Sequence, residues 1–180
     1  MPATNTTIIR SLSADEIQSF TREITEIPKN KWRKHYPIRN RTKLRDGESI
    51  HLNWISDEKY DFIREQKDQA PMIWKFIQDY LDSHVIGRAY IHRLKPGDSI
   101  IKHNDQVHVQ SLKIISRYHI YLDIPDSVEL FLDDKIEDNP QCFRFTISDF
   151  ALSRDHYYKN NSDQNWYFIV FDKLEKNIHE

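Results

Sequence analysis

Apolar residues recur at helical spacing near the start of the chain. Ile17, Phe20, Ile24 and Ile27 fall on one face, Ser13 and Glu16 stand in capping-box relation ahead of them, and Pro28 ends the run. This pattern predicts a helix. A second helical region is predicted over about residues 56–84, where Met72, Ile73, Phe76, Ile77, Tyr80 and Leu81 form a wide apolar stripe and Pro71 suits a first turn. A strand is expected between the helices, around residues 49–54.

From Val85 onward the helical spacing gives way to short β-rich runs, at 86–94, 99–103, 114–124, 128–132, 142–147 and 166–171. Turn signals separate them, among them Lys95-Pro96-Gly97-Asp98, Ile124-Pro125-Asp126 and Asn160-Asn161-Ser162-Asp163. Many short strands at close spacing indicate a sandwich or barrel, and helices that precede strands suggest helices packed on one face of a β-core. No internal repeat or linker interrupts the pattern. Residues 1–180 therefore read as one mainly β domain, with 1–84 as helical support plus a strand and 85–172 as the core.

Composition narrows the function classes. The chain has 180 residues, enough for a sizeable core, and 12% of them are aromatic, so large rings supply much of the buried area. No apolar run is long enough to suggest a membrane span, and the first residues show no secretory signal. The single cysteine, Cys142, excludes an intrachain disulfide and a Cys-rich zinc site, and a cytoplasmic protein is the simplest expectation. A net charge of −2 argues against a dedicated polyanion binder. The basic stretch 29–45, with Trp32 and Tyr36 inside it, reads more readily as a solvated edge than as a nucleic-acid surface. Nine histidines say more, because histidine is the commonest metal ligand.

His103-Asn104-Asp105 ends one predicted strand. Residues two apart on an extended segment point the same way, so an imidazole and a carboxylate can converge there. His156 follows at the entry to the last predicted strand. Two histidines and a carboxylate on one side of an ion form a facial triad, which suits Fe(II) oxygenase chemistry. An H-x-D pair alone is weak; the order of turn, strand, H-x-D, further strands, His and final strand gives it weight. In Ser116–Leu122, alternation puts Arg117, His119 and Tyr121 on one face and Tyr118, Ile120 and Leu122 on the other. A buried Arg117 would need an anionic partner, and a dicarboxylate cosubstrate would be one; an exposed polar face is the alternative.

Over about residues 85–172 the sequence resembles the aspartyl/asparaginyl β-hydroxylase family of 2-oxoglutarate-dependent dioxygenases. The elements that carry the resemblance are Arg93-Leu94-Lys95-Pro96-Gly97 before His103, then Arg117-x-His119, His156 and the closing Phe168-Ile169-Val170-Phe171-Asp172. The resemblance implies a double-stranded β-helix (jelly-roll, cupin-like), Fe(II), O₂ and 2-oxoglutarate, and hydroxylation of an amino-acid side chain or a small amino-acid-like metabolite. It makes His103 and His156 the metal histidines. Asp105 completes the triad where some relatives have glycine. Arg117 and His119 stand near the metal-binding end of the cosubstrate. One position departs from the family: Trp166 occupies the place of an arginine that pairs with the distal carboxylate of 2-oxoglutarate. His92, at a family position beside that carboxylate, is the first candidate to replace it, followed by Arg93, Arg144 and Arg154. The rival readings are a catalytically inactive binding protein and a nucleic-acid-associated oxygenase using residues 29–45.

Overall fold

A computed structural model describes residues 7–34, 47–53, 65–81, 85–105, 114–150 and 154–175. Along the chain lie β1 (Thr7–Ser11), α1 (Ala14–Glu26), β2 (Arg33–Lys34), β3 (Glu48–Asn53), α2 (Pro71–Tyr80), β4 (Ile86–Leu94), β5 (Ser99–His103) and β6 (Ile114–Tyr121). They are followed by β7 (Val128–Leu132), β8 (Lys135–Ile136), β9 (Thr146–Phe150), β10 (His156–Asn160) and β11 (Trp166–Leu174). A seven-stranded sheet in the order β1-β9-β6-β11-β4-β3-β2 faces a four-stranded sheet in the order β5-β10-β7-β8. The strand pairs are antiparallel, and the whole is a double-stranded β-helix.

Strand alternation sorts the large sheet into two faces. Ile91, Ile120, Ile169 and Phe171 turn outward and pack with Phe20 and Ile24 of α1 and Ile73 and Ile77 of α2. Tyr90, Leu94, Tyr121, Trp166, Phe168 and Val170 turn inward, toward Ile100, Leu130 and Tyr158 of the small sheet. All nine residues of the interior strand β4 are buried, so its Arg88, His92 and Arg93 lie in positions where polar groups are costly.

The helices form for the reasons the sequence suggested. The Ser13 hydroxyl accepts from the Glu16 N–H at 3.2 Å, and the Glu16 carboxylate accepts from the Ser13 N–H at 2.7 Å, which completes the capping box. The second helix begins at Pro71, behind Ala70, whose methyl group cannot cap it. Glu23 of α1 supplies the cap instead: its carboxylate accepts from the Met72 N–H at 2.6 Å and the Ile73 N–H at 2.9 Å. A buried anion thus meets two orphan donors and the positive end of the helix dipole. Glu23→Ala should therefore cost roughly 1–2 kcal/mol in urea denaturation, with Glu23→Gln falling between it and wild type. An unchanged midpoint for Glu23→Ala would show that something else holds the first turn of α2.

Three predicted strands match at both ends: 86–94, 99–103 and 128–132. The strand predicted at 114–124 ends at Tyr121, ahead of the turn that carries Pro125. The strand predicted at 142–147 is displaced. Pro140–Phe143 forms a 3₁₀ turn, Phe145 takes a left-handed φ of 53°, and the strand starts at Thr146. Of the predicted 56–84 helix, Pro71–Tyr80 is helical, whereas residues 56–64 and 82–84 lie outside the described residues. The first half of the chain, expected to give helices and one strand, gives three strands, since β1, β2 and β3 all join the large sheet. In the basic stretch, Lys29–Lys31 is a short turn and Arg33–Lys34 an edge strand, and residues 35–45 lie outside the described residues.

Candidate metal centre

His103 is the last residue of β5 and His156 the first of β10, and the two are direct cross-strand partners. The register brings their rings together, with centroids 4.4 Å apart. His156 therefore opens a strand of its own, β10, rather than leading directly into the final strand as expected. Asp105, two residues past His103, turns its carboxylate to the same point: Oδ1 is 3.9 Å from His103 Nε2 and Oδ2 is 3.7 Å from His156 Nε2. One donor atom from each of the three residues lies within 4.8 Å of the others.

Backbone carbonyls fix the orientation of both imidazoles. His103 Nδ1 bonds to Ile101 O at 2.9 Å and His156 Nδ1 to Arg154 O at 3.0 Å. A carbonyl only accepts, so Nδ1 carries the proton and each Nε2 offers its lone pair to the common point. This second hydrogen bond is what commonly orients a metal-binding histidine.

Behind the carboxylate lies a buried charge chain. Arg117 donates through Nη1 to Asp105, and grips Asp172 with Nε at 2.6 Å and Nη2 at 2.9 Å. Arg117 and Asp172 are cross-strand partners on β6 and β11. Asp105, Arg117 and Asp172 are 2%, 3% and 0% exposed. Burial alone would raise the Asp105 carboxyl, but Arg117 and the surrounding imidazoles hold it well below the usual carboxylate range. Within the chain, the buried Arg117 thus meets two anionic partners, Asp105 and Asp172. Gly87 on β4 makes room for this arrangement; a Cβ there would meet the Asp172 Cβ at 2.8 Å.

His119 lies on the same face as Arg117, with its ring centroid 5.8 Å from that of His156. Its Nδ1 shares hydrogen bonds with the hydroxyls of Tyr121 at 3.2 Å and Tyr158 at 3.3 Å, which are themselves 3.0 Å apart. Burial, reinforced by His156, pushes the His119 pKa well below the ordinary histidine value, so the imidazole stays neutral. Burial likewise raises the Tyr121 hydroxyl, which remains protonated.

The triad lines a cavity of about 10 Å³ together with Tyr158 and Phe168. That is room for about one water-sized atom. His92 lines it, packed edge-on to Tyr90 at 4.7 Å and tilted on Phe168 at 4.8 Å. The other three candidate cations are placed elsewhere. Arg93 pairs with Glu48 and lies 4.2 Å over the Trp32 ring, Arg144 pairs with Asp123, and Arg154 pairs with Asp133. Trp166 is 1% exposed and stands behind the cavity wall, and its indole N–H has no hydrogen-bond partner among the described residues.

Sequence reasoning missed Asp172 and Tyr158 as parts of the site. A signal existed for Asp172: counting by two from Trp166 through Phe168 and Val170 carries the inward file of β11 to a carboxylate.

Residues 12–175 match the family model described as aspartyl/asparaginyl beta-hydroxylase. A prolyl-4-hydroxylase from Pseudomonas putida shares the fold, with a TM-score of 0.57 at 12% identity over 95% of this chain and 91% of that one. An oxidoreductase of the 2OG-Fe(II) oxygenase family from Burkholderia pseudomallei matches with a TM-score of 0.57 at 12% identity, over 91% of this chain and 80% of that one. No curated protein matches the chain in sequence.

Proposed function

The chain belongs to the aspartyl/asparaginyl β-hydroxylase family, and from that membership and the geometry of its site we propose that it is a non-haem Fe(II)-dependent oxygenase. Its substrate would be an amino-acid side chain, free or in a peptide, or a small amino-acid-like metabolite. The observation that carries this reading is the convergence of His103 Nε2, His156 Nε2 and the Asp105 carboxylate on one point, with both imidazoles oriented from behind. Two imidazoles and one carboxylate on one side of an ion fit Fe(II) and leave the opposite positions open. When bound, the iron would supply the activation of O₂.

The chain's own residues have separable tasks in this reading. Arg117 holds the Asp105 carboxylate ionised and aimed at the ion, and Asp172 holds Arg117. Neutral His119, tied to Tyr121 and Tyr158, presents a fixed dipole beside His156 without adding charge. Tyr158 and Phe168 keep water out of the back of the site. The family implies 2-oxoglutarate as cosubstrate. The triad suits its chelating end. Its far carboxylate has fewer partners here: His92 lines the cavity among aromatic rings, and Trp166 packs behind Tyr158 and Phe168.

Among the described residues, no helix is long and apolar enough to cross a membrane. A reducing cytoplasmic setting would suit both an Fe(II) site and the exposed thiol of Cys142. The direct test is anaerobic Fe(II) titration followed by O₂ uptake and CO₂ release, using a panel of 2-oxo acids with amino acids and peptides. One Fe(II) per chain and O₂ uptake that requires a 2-oxo acid are expected. Iron binding without O₂ uptake under any combination would favour a binding protein over an oxygenase.

A further inference from the structure

The path from the metal point into the barrel is set by two strands. His156 and Tyr158 are successive inward residues of β10, and Val170, Phe168 and Trp166 are successive inward residues of β11, read toward the barrel interior. Inward neighbours on a strand stand roughly 6.5–7 Å apart, so Tyr158 and Phe168 occupy the second step and Trp166 lies beyond them. The second step is closed. The Tyr158 and Phe168 rings are 5.4 Å apart, and Trp166 packs behind them at 5.6 Å and 5.0 Å, with Tyr121 against its other side at 5.5 Å.

A 2-oxo acid that chelated the ion through its carboxylate and keto oxygens and lay along this path would turn its third carbon toward the wall formed by Tyr158 and Phe168. A methyl tail ends in front of Tyr158 and Phe168. Two methylenes and a second carboxylate would press charge into the rings, where an unpaired carboxylate costs several kcal/mol. Trp166 offers one neutral donor, the Tyr158 hydroxyl is shared with Tyr121 and His119, the His92 ring is packed against Tyr90 and Phe168, and Arg117 is already gripped by Asp105 and Asp172.

We infer that the cosubstrate of this chain is a short 2-oxo acid with an uncharged tail, of pyruvate size, and that Trp166, backing Tyr158 and Phe168, excludes the five-carbon dicarboxylate. The inference rests on the oxygenase reading above. The reaction balances as substrate C–H plus O₂ plus CH₃–CO–COO⁻ giving substrate C–OH plus CH₃–COO⁻ plus CO₂. The C–H bond and the bond between C1 and C2 of the 2-oxo acid each give up two electrons. One oxygen atom enters the substrate and the other enters acetate, with no net proton change.

The test uses the Fe(II)-loaded chain without O₂, titrated separately with pyruvate, 2-oxobutyrate and 2-oxoglutarate. The readout is the visible charge-transfer band that forms when a 2-oxo acid chelates Fe(II). Pyruvate is expected to bind about tenfold or more tightly than 2-oxoglutarate; Trp166→Arg, which removes the ring backing Tyr158 and Phe168 and sets a cation there, is expected to improve 2-oxoglutarate binding by about tenfold or more as those rings yield. Trp166→Phe should keep the wild-type order. Wild-type binding of 2-oxoglutarate as tight as that of pyruvate would overturn the inference and leave the oxygenase reading standing. Iron binding with no band from any 2-oxo acid would overturn both. Should Trp166→Arg fail to fold, the order of affinities in the wild-type chain still decides between the two cosubstrates.

Discussion

Arg117→Met is expected to destabilise the metal-free chain by about 3–5 kcal/mol, the usual cost of breaking a buried ion pair from one side. The residue is 3% exposed and its side chain lies between two carboxylates that are as fully buried. Methionine fills much of the same volume, so a large loss would reflect stranded charge rather than a cavity. The second carboxylate makes the effect separable. Replacing Asp172 by Asn in the same chain removes one of the two stranded charges, so the double variant should regain part of the loss. Urea denaturation of the four members of this cycle measures it. A loss below about 1 kcal/mol for Arg117→Met would mean that the Asp172–Arg117–Asp105 chain carries little of the stability of the β-core.

The elements that sequence made legible are those whose face pattern is local. In β4, β5 and β7, apolar content and flanking turns mark both ends, and the structure agrees residue for residue. Strand β10 hid because its inward residues are His156, Tyr158 and Asn160. The polar groups among them are met by contacts no short window reveals, such as Asn160 Nδ2 donating to Leu94 O at 2.9 Å and Gln164 O at 2.8 Å. The 142–147 strand slipped because the left-handed Phe145 re-aims the backbone just before β9, and nothing in its apolar character announces that. The site divides in the same way. His103 and Asp105 were legible from the two-residue period of one strand, and His156 from the order of motifs. The partners of Arg117 were not, because Asp172 reaches it through a register between strands 55 residues apart in sequence. The rule that a buried arginine needs an anion was sound, and two carboxylates of the chain itself answer it.

His156→Ala should remove Fe(II) binding, with a loss of about 100-fold or more in affinity. Removing a residue that merely orients a ligand typically costs about 10–100-fold, so removing a ligand costs at least the upper end of that range. His103→Ala should match it, since the two imidazoles enter the site as equivalent cross-strand partners. Asp105 differs. Its carboxylate contributes negative charge as well as a donor atom, but it also answers Arg117, which would remain bound to Asp172 if Asp105 were lost. Asp105→Asn retains an oxygen donor without the charge, so its affinity should fall between wild type and the histidine variants. Anaerobic Fe(II) titration, repeated with Co(II), measures all three. Copper, nickel or zinc in the purified protein would not count against the site, because affinity for such donors rises along the first-row metals toward copper. Wild-type affinity in both histidine variants would, since no ion held at this point could ignore the loss of either ring.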